Sequence, residues 1–282
     1  MLRNDVITGD CVRAMNELPA GTVDLVFADP PFNIGYEYDK YDDSRSDKEY
    51  LKWTEKWLAA AARALKPDGS LFLAIGDEYV AEHKVRLDAL GLTMRNWIVW
   101  HYTFGVNCKK KFSRSHAHIL YYVKNPKQYT FNPDAVRVAS ARQTTYADRR
   151  ANATGKLPDD TWVLRPQECE DHFRADQDSW FVSRVCGTFN ERVNHPCQMP
   201  EAVLARIIKV ASNPGELVMD PFAGSGTTLA VAKKLGRDYL GMELSDTYAD
   251  GVRKRLQMIE FGAPEDAPAP PAVVKPKKRA SR

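Results

Sequence analysis

Four carboxylic acids in this sequence each follow a short apolar run, which places them at the ends of predicted buried strands. The runs are VITGD ending in Asp10, LVFAD ending in Asp29, LVMD ending in Asp220 and YLGME ending in Glu243. The carboxyl ends of parallel strands share one edge of a doubly wound sheet, where ligands bind. Four carboxylates in one crevice favour a cationic or hydroxyl-rich ligand. Taken singly, each acid also fits the N-cap of a helix.

A glycine-rich stretch, DPFAGSGTT (residues 220–228), lies between a predicted strand and a predicted helix. Gly224 and Gly226 would let the backbone pass close to a ligand. A phosphate site is one alternative, but the stretch lacks the lysine of a P-loop and the GxGxxG spacing of dinucleotide-binding turns. A tight connection without a ligand is another. Glu243 follows about twenty residues later, where an acid can bind ribose hydroxyls, and the two features together favour a ribose-containing ligand.

DPFAGSGTT and ADPPFN (residues 28–33) together resemble the cofactor-binding and catalytic motifs of the amino-group DNA methyltransferases, which modify adenine N6 or cytosine N4. The similarity includes LKPDGSLF, SRSHAHILYYVKN and NHPCQMPEAVLARII. The catalytic motif precedes the cofactor motif, an order similar to that of the β class. The resemblance implies a class I methyltransferase fold, which is Rossmann-like, doubly wound and mostly parallel, here in permuted order. It also implies S-adenosyl-L-methionine as cofactor and duplex DNA as substrate.

The resemblance further implies roles for individual positions. The catalytic set is Asp29, Pro30, Pro31 and Phe32. The cofactor-binding set is Asp10, Cys11, Asp29, His195, Gln198, Asp220, Phe222, Ala223, Gly224, Ser225, Gly226, Thr227, Glu243 and Leu244. In this set the glycine-rich turn would wrap the methionine part of the cofactor, Glu243 would bind its ribose, and Asp10 would lie near its adenine.

The order Asp29-Pro30-Pro31-Phe32 suits the activation of an amino group on a base. Such an amine is a poor nucleophile because its lone pair is delocalised into the ring, and two hydrogen-bond acceptors directed at its protons localise that pair. The Asp29 carboxylate is one acceptor, and the Pro30 carbonyl is our candidate for the second. The prolines stiffen the backbone, and Phe32 offers a flat face on which a base can stack.

These residues need a parallel sheet with crossover helices to bring them together. Strands and helices alternate over residues 1–100, with strands in DVITGD, VDLVFAD and SLFLAI and a helix from Lys48 to Leu65. LKPDGS, residues 65–70, is predicted to end that helix and turn into the next strand. From Pro200 the alternation returns with the helix EAVLARIIKVAS and the strands LVMD and DYLGMEL.

Residues 101–194 have no clear hydrophobic period, so we expect an inserted target-recognition region rather than more sheet. The predicted segments are the catalytic half (1–100), this DNA-facing insertion (101–194), the cofactor-binding half (195–262) and a disordered basic tail (263–282). The basic residues expected to contact DNA are Lys109, Lys110, Lys111, Arg114, Arg142, Arg149 and Arg150. For each of these basic runs, the alternative is a charged surface that contacts only solvent.

Composition limits the other classes of function. The 282 residues carry 40 Lys and Arg against 37 Asp and Glu, a formal charge of +3, so a nucleic-acid surface must come from local clustering. No apolar run approaches the roughly 18 residues of a membrane span. Five cysteines without CxxC spacing fit reduced thiols. We therefore expect a cytoplasmic protein, and the resemblance to DNA methyltransferases implies that it is nucleoid-associated.

Two further patterns suggest other chemistry. Pro196-Cys197-Gln198 matches the nucleophile motif of cytosine C5 methyltransferases, but it lies just before the cofactor strand, while Asp29-Pro-Pro-Phe already occupies the catalytic position. We therefore expect Cys197 to be non-catalytic. No metal is expected, because the spacing of His116, His118, His195 and Cys197 matches no zinc template.

The leading interpretation is a DNA (adenine-N6)-methyltransferase acting on a flipped-out adenine, because Asp-Pro-Pro is more typical of the family's adenine enzymes and Ser-Pro-Pro of its cytosine N4 enzymes. Three alternatives stay open: a cytosine N4 enzyme, an RNA methyltransferase, and a regulator that binds cofactor or DNA without catalysis. A homodimer and a cognate restriction enzyme are partners that the resemblance allows.

Overall fold

A computed structural model describes residues 3–101, 108–138, 140–144, 146, 148–162 and 198–262. The strands are β1 (Asp5–Thr8), β2 (Val23–Ala28), β3 (Leu65–Ile75), β4 (Thr93–His101), β5 (His116–Val123), β6 (Thr161–Trp162), β7 (Leu217–Asp220) and β8 (Asp238–Glu243). The helices are α1 (Cys11–Glu17), α2 (Asp47–Ala64), α3 (Val80–Ala89), α4 (Ala141–Thr144), α5 (Glu201–Ala211), α6 (Thr227–Lys234) and α7 (Asp246–Gln257). The predicted site residues His195 and Cys197 and the predicted tail, 263–282, lie outside the described residues.

The strands form one eight-stranded sheet in the order β1-β8-β7-β2-β3-β5-β4-β6. β5 runs antiparallel to both of its neighbours, and every other pair is parallel. The predicted α/β fold with a doubly wound, mostly parallel sheet is therefore confirmed.

The winding of the sheet reverses between β7 and β2. These two strands are neighbours, with Leu25 opposite Val218 and Val26 opposite Met219. The strand that follows β2 in the chain, β3, lies on one side of this pair, and the strand that follows β7, β8, lies on the other. A doubly wound sheet binds its ligands at such a reversal, outside the carboxyl ends of the strands.

Helices cover both faces of the sheet, which is why its central strands are apolar on both sides. β2 is buried along its whole length. Val26 and Ala28 face the helices α1, α2 and α3, whereas Leu25 and Phe27 face α5, α6 and α7. Among the described residues, no helix has both the length and the apolar character that a membrane crossing requires.

The helix predicted over 48–65 is α2, which begins at Asp47 because Ser46 and Glu49 form a capping box. It ends at Ala64, and β3 begins directly at Leu65. The prediction that LKPDGS forms a turn before the strand is therefore wrong. The segment is a bulged first part of β3, since the pairing with β2 shifts from Val23 opposite Leu65 to Leu25 opposite Ser70.

The region 101–194 contains strands of the sheet. β5 lies between β3 and β4, and the two-residue β6 pairs with the outer edge of β4. The expectation of an insertion rather than more sheet is thus wrong for residues 116–123. Most of β5 is buried, and a strand covered on both faces shows a continuous apolar run, ILYYV, instead of an alternating one. The roles predicted for the four segments of the chain stay predictions.

Candidate active site

A cavity of about 1010 Å³ opens at the carboxyl ends of the central strands. All four strand-end acids line it: Asp10 after β1, Glu243 at the end of β8, Asp220 at the end of β7 and Asp29 after β2. The other predicted site residues in its wall are Cys11, Pro30, Pro31, Phe32, Gln198, Phe222, Ala223, Gly224, Ser225, Thr227 and Leu244. The fold therefore brings the predicted catalytic and cofactor-binding sets into one site.

The N-cap alternative holds for only one of the four acids. Asp10 caps α1 by accepting a hydrogen bond of 2.8 Å from the backbone N–H of Arg13. Asp29 begins a loop, residues 29–46, all of which is described, and the next helix begins only at Asp47, so Asp29 caps no helix. The first turns of α6 and α7 are capped by Gly226 and Ser245 instead.

Asp220 and Glu243 organise the glycine-rich turn between β7 and α6. The backbone N–H of Phe222 donates to Asp220 Oδ1 at 2.9 Å, and that of Gly224 donates to Glu243 Oε2 at 2.8 Å. The other oxygen of Glu243, Oε1, accepts from the backbone N–H of Ser245 at 2.9 Å. The two carboxylates thus hold the turn against the sheet edge and still face the cavity.

Gly226 is the one described member of the predicted cofactor-binding set that does not line the cavity, because it lies behind the cavity wall. It caps α6 with φ of +73°. A Cβ at this position would lie 2.5 Å from Cγ1 of Val252 in α7. Glycine is required here for the left-handed backbone and for the close approach of α7, so Gly226 shapes the turn from behind.

We expect Gly226→Ala to lower the free energy of unfolding by about 2–4 kcal/mol, because it adds both backbone strain and a steric clash. Gly251→Ala is the matched control. Gly251 lies in α7 at an ordinary φ, with nothing within 4 Å of its Cβ position, so alanine there should be neutral or stabilising by up to about 1 kcal/mol. Urea denaturation of both variants measures the difference, and equal unfolding free energies would contradict the close approach.

Burial changes the titration of the acids at this turn. It raises the pKa of Asp220 from 3.8 to about 6, against the lowering effect of hydrogen bonds from Thr228 and the Phe222 backbone. Burial likewise raises the pKa of Glu243. These buried acids favour a cationic partner, which would relieve the cost of ionising them. Burial also raises the pKa of the Cys11 thiol to about 12, so this cysteine is neutral.

We expect Asp220→Asn to change stability in a pH-dependent way. The pKa of Asp220 is higher in the folded state than its ordinary value, so protonation of Asp220 favours the folded state at low pH. This stabilisation is lost as the pH rises from about 4 to about 6. Asparagine does not titrate. The melting temperature of the variant relative to the wild type, both without ligand, should therefore rise between pH 4.5 and pH 7. A difference that stays constant over this range would show that Asp220 titrates ordinarily.

The turn that carries the catalytic motif is held at its far end by a buried carboxylate. Asp43 accepts from the backbone N–H groups of Asn33, Ile34 and Tyr36 at 2.8, 3.1 and 2.9 Å. Asn33 has φ of +56°, and its side chain donates to the Arg45 carbonyl at 2.9 Å. These bonds tie the two ends of the loop 33–45 together beside Phe32.

Sequence reasoning missed the aromatic wall of the cavity, formed by Tyr36, Tyr38, Tyr41, Trp53 and Phe222. Neighbouring rings along it have centroids 5.1 to 6.2 Å apart. The loop that carries the tyrosines reaches the opposite half of the site, where Asp39 accepts from Ser245 and Lys40 pairs with Asp246. The signal available in the sequence was the run YEYDKY, residues 36–41, which begins shortly after the catalytic motif.

The predicted DNA-contacting residues differ in their surroundings. Lys109, Lys110 and Lys111 are exposed beside a fully exposed Phe112, and Lys111 lies at the cavity. Arg114 forms ion pairs with Asp77 and Glu78. Arg142 and Arg150 both form ion pairs with Asp148, and Arg149 is exposed. Their contacts with DNA stay predictions.

Two of the histidines considered as metal ligands, His116 and His118, lie close together. The ligand atoms of Asp77, His116 and His118 are within 4.8 Å of one another. The Trp97 indole, which can only donate, donates to His118 Nδ1 at 2.9 Å, so the ring proton lies on Nε2, 2.9 Å from Asp77 Oδ1. A metal bound at Nε2 would move the ring proton to Nδ1, where it would point at the Trp97 N–H. This conflict between two donors disfavours the cluster as a metal site.

The cavity fits the cofactor that the sequence resemblance implies. Its volume suits a ligand of that size. Buried carboxylates can pair with the ammonium group of the methionine part and accept from ribose hydroxyls, while the apolar and aromatic wall suits an adenine ring. Asp220, Glu243 and the turn between β7 and α6 would hold the cofactor, with Gln198, which is 9% exposed, at the same wall.

Comparison with known proteins agrees with this site. The family model N6_N4_Mtase, described as DNA methylase, matches residues 23–254. The DNA adenine methyltransferase YhdJ of Escherichia coli is 35% identical to this chain, over 93% of the chain and 85% of YhdJ. The type II methyltransferase M.HpaI of Haemophilus parainfluenzae is 32% identical, over 89% of the chain and 73% of M.HpaI.

The fold is also similar to that of a solved protein. The structure of the M1.HpyAVI–SAM complex superposes with a TM-score of 0.62 over 90% of this chain and 99% of M1.HpyAVI, at 20% identity. SAM is S-adenosylmethionine, the cofactor predicted from the sequence. The family model covers most of the chain and includes both the Asp29 motif and the glycine-rich turn. The prediction from the motifs is thus confirmed, and this chain belongs to the family of amino-group DNA methyltransferases, which modify adenine N6 or cytosine N4.

Proposed function

We propose that this protein transfers a methyl group from S-adenosylmethionine to the exocyclic N6 of adenine in duplex DNA. One observation carries the proposal. The Asp29-Pro30-Pro31-Phe32 turn and the glycine-rich turn at Asp220 follow neighbouring strands at the reversal of the sheet, and both line the same cavity. A donor held at one turn and an amine held at the other would meet there.

In this proposal the side chain of Asp29 accepts a hydrogen bond from the amino group, and the Pro30 carbonyl accepts the second. Both bonds draw the nitrogen lone pair out of the ring and direct it into the cavity. S-adenosylmethionine supplies an electrophilic methyl group on a positively charged sulfur. The amine nitrogen forms the new N–C bond as the S–C bond breaks, and the amine then loses one proton, for which Asp29 is the adjacent base.

Phe32 would stack on the target base. Its ring packs beside Gly76, where a Cβ would lie 3.2 Å from the ring, so the position after β3 leaves room for it. Base–aromatic stacking is worth about 1–3 kcal/mol, which offsets part of the few kcal/mol needed to flip a base out of the duplex. Base flipping is part of the proposal because the catalytic residues line a crevice that a stacked base does not enter.

Adenine is the proposed target for two reasons. The motif is Asp-Pro-Pro, which in the family that it resembles is more typical of adenine enzymes than of cytosine N4 enzymes. YhdJ, which is 35% identical over most of this chain, is named as a DNA adenine methyltransferase. The same geometry would activate the N4 amine of cytosine, so the choice of base rests on this likeness and on the motif.

DNA would approach the open side of the cavity. We propose that Lys109, Lys110 and Lys111 contact phosphates there, since they are exposed and adjoin the cavity through Lys111. A protein with this substrate would act at the nucleoid in the cytoplasm. A homodimer and a cognate restriction enzyme stay predictions of the family resemblance.

The experiment is a product analysis. The purified protein is incubated with S-adenosylmethionine and unmethylated duplex DNA, the DNA is digested to nucleosides, and the methylated nucleoside is identified by mass spectrometry. We expect N6-methyladenine. N4-methylcytosine would overturn the choice of base and keep the chemistry.

The absence of any methylated nucleoside would overturn the proposal for DNA. Methylation of RNA under the same conditions would then support the RNA enzyme. Binding of the cofactor without turnover on either nucleic acid would support a regulator.

A further inference from the structure

A buried tyrosine contacts the backbone of the catalytic turn. The hydroxyl of Tyr50, in the first turn of α2, donates a hydrogen bond of 2.8 Å to the carbonyl of Pro31. Tyr50 is fully buried, behind the cavity wall, and this bond is the contact of its hydroxyl with the catalytic turn.

The bond fixes the direction of the Pro31 carbonyl, and the prolines extend that constraint along the turn. Asp29 and Pro30 both precede a proline, which restricts them to extended or polyproline conformations. The ring of Pro31 fixes its own φ at about −65°, so the angle between the Pro30 and Pro31 carbonyls depends on ψ of Pro31 alone. By holding the Pro31 carbonyl, Tyr50 fixes this ψ and with it the angle between the two carbonyls.

The phenol of Tyr50 is itself held in place. Its ring packs against Tyr79, with centroids 4.6 Å apart, and against Trp53 at 5.8 Å. Burial raises the pKa of this phenol, so the hydroxyl keeps its proton and acts as a donor at every working pH. α2 is anchored by its capping box and by the burial of Trp57 and Leu58, which makes it a rigid support.

We propose that Tyr50 is a positioning residue for methyl transfer, which holds the Pro31 carbonyl inward so that the Pro30 carbonyl serves as the second acceptor for the target amine. This inference rests on the proposed function. It gives helix α2 an indirect part in catalysis, because Tyr50 acts on the Pro31 carbonyl and not on the substrate. The other end of the turn is held separately by Asp43, so removal of the Tyr50 hydroxyl releases the Pro31 peptide while the loop stays in place.

The test is Tyr50→Phe, which keeps the ring and removes the hydroxyl. Tyr122→Phe is the matched control. Tyr122 is also fully buried, and its hydroxyl donates to Asp88 Oδ1 at 2.8 Å, away from the residues that line the cavity. Both variants are measured at a temperature at which circular dichroism shows each to be fully folded.

We expect Tyr50→Phe to lower the single-turnover rate at saturating S-adenosylmethionine and DNA by about 10- to 100-fold, because a small misplacement of a reacting partner has effects of that size. The Kd for S-adenosylmethionine and the KM for DNA should stay within about threefold of the wild-type values. Tyr122→Phe should lose similar stability and keep the wild-type rate to within about twofold.

The outcomes separate this inference from the proposed function. A wild-type protein that transfers no methyl group overturns the proposed function. An active wild type with equal rates for Tyr50→Phe and Tyr122→Phe shows that Tyr50 is merely structural, and overturns the inference alone. A loss for Tyr50→Phe that appears in cofactor binding and not in the rate would also overturn it, because the bond would then support the cofactor site.

Discussion

Asp29→Ala should abolish methyl transfer and leave cofactor binding intact. In the proposed mechanism the Asp29 side chain accepts a hydrogen bond from the target amine, and alanine removes that acceptor from a half-buried site at the end of β2. The loss of one preorganised electrostatic contact lowers rates by about 10²–10³, and the loss of the adjacent base adds to it. We therefore expect the single-turnover rate to fall by about 10³-fold or more.

Each variant is measured in two assays, the single-turnover rate of methyl transfer and isothermal titration calorimetry with S-adenosylmethionine. The calorimetry should give a Kd within about threefold of the wild-type value, since Asp220 and Glu243 are unchanged. Asp29→Asn keeps one acceptor oxygen and should retain more activity than Asp29→Ala.

Asp5→Ala is the control for Asp29. Asp5 is an exposed acid at the amino end of β1, on the opposite edge of the sheet, and its replacement should leave the rate unchanged. Near-normal turnover of Asp29→Ala would show that another group activates the amine.

Glu243→Gln should have the opposite profile, with weak cofactor binding and a nearly normal rate at saturation. Each oxygen of Glu243 accepts a backbone N–H, one from Gly224 and one from Ser245. Glutamine has only one acceptor oxygen, so its amide nitrogen would face one of these N–H groups, and the charge offered to ribose hydroxyls is lost. Hydrogen bonds to a charged group are worth about 1.5–3 kcal/mol, which corresponds to an increase in Kd of about 10- to 100-fold.

Calorimetric titration with S-adenosylmethionine measures this loss, and Glu216→Gln is its control. Glu216 accepts from the backbone N–H of Asn213 at 2.7 Å, in the turn before β7 at the amino edge of the sheet. The same substitution there should leave Kd unchanged. Unaltered cofactor affinity of Glu243→Gln would rule out the proposed ribose contact.

The location of the site residues was largely predictable from short stretches of sequence. The strand-ending acids, the Asp29-Pro-Pro-Phe turn and the glycine-rich turn all line the cavity as expected. Such stretches are informative because proline, glycine and an acid after an apolar run constrain the backbone through their immediate neighbours. Gly226 shows the limit, since its left-handed φ follows from the sequence but its contact with Val252 does not.

Residues that support the site from a distance gave no such signal. Tyr50 reads as an ordinary apolar position of an amphipathic helix, and its bond to Pro31 depends on how α2 packs on the sheet. The ion pairs of Arg114 with Asp77 and Glu78 likewise join the end of β3 to the start of β5. β5 was not recognised as a strand because burial on both faces removes the alternation by which strands are found.

The sequence by itself determined the strand-end acids, the two turns and the family of the chain, because each depends on residues that are neighbours in the chain. Only the tertiary structure decided that β7 lies beside β2, which brings Asp220 and Asp29 to one cavity. It also decided that the Pro31 carbonyl is held by Tyr50 and that Trp97 fixes the proton of His118. These contacts join residues far apart in the sequence, and they exist only because strand order and helix packing are set by the burial of the whole core.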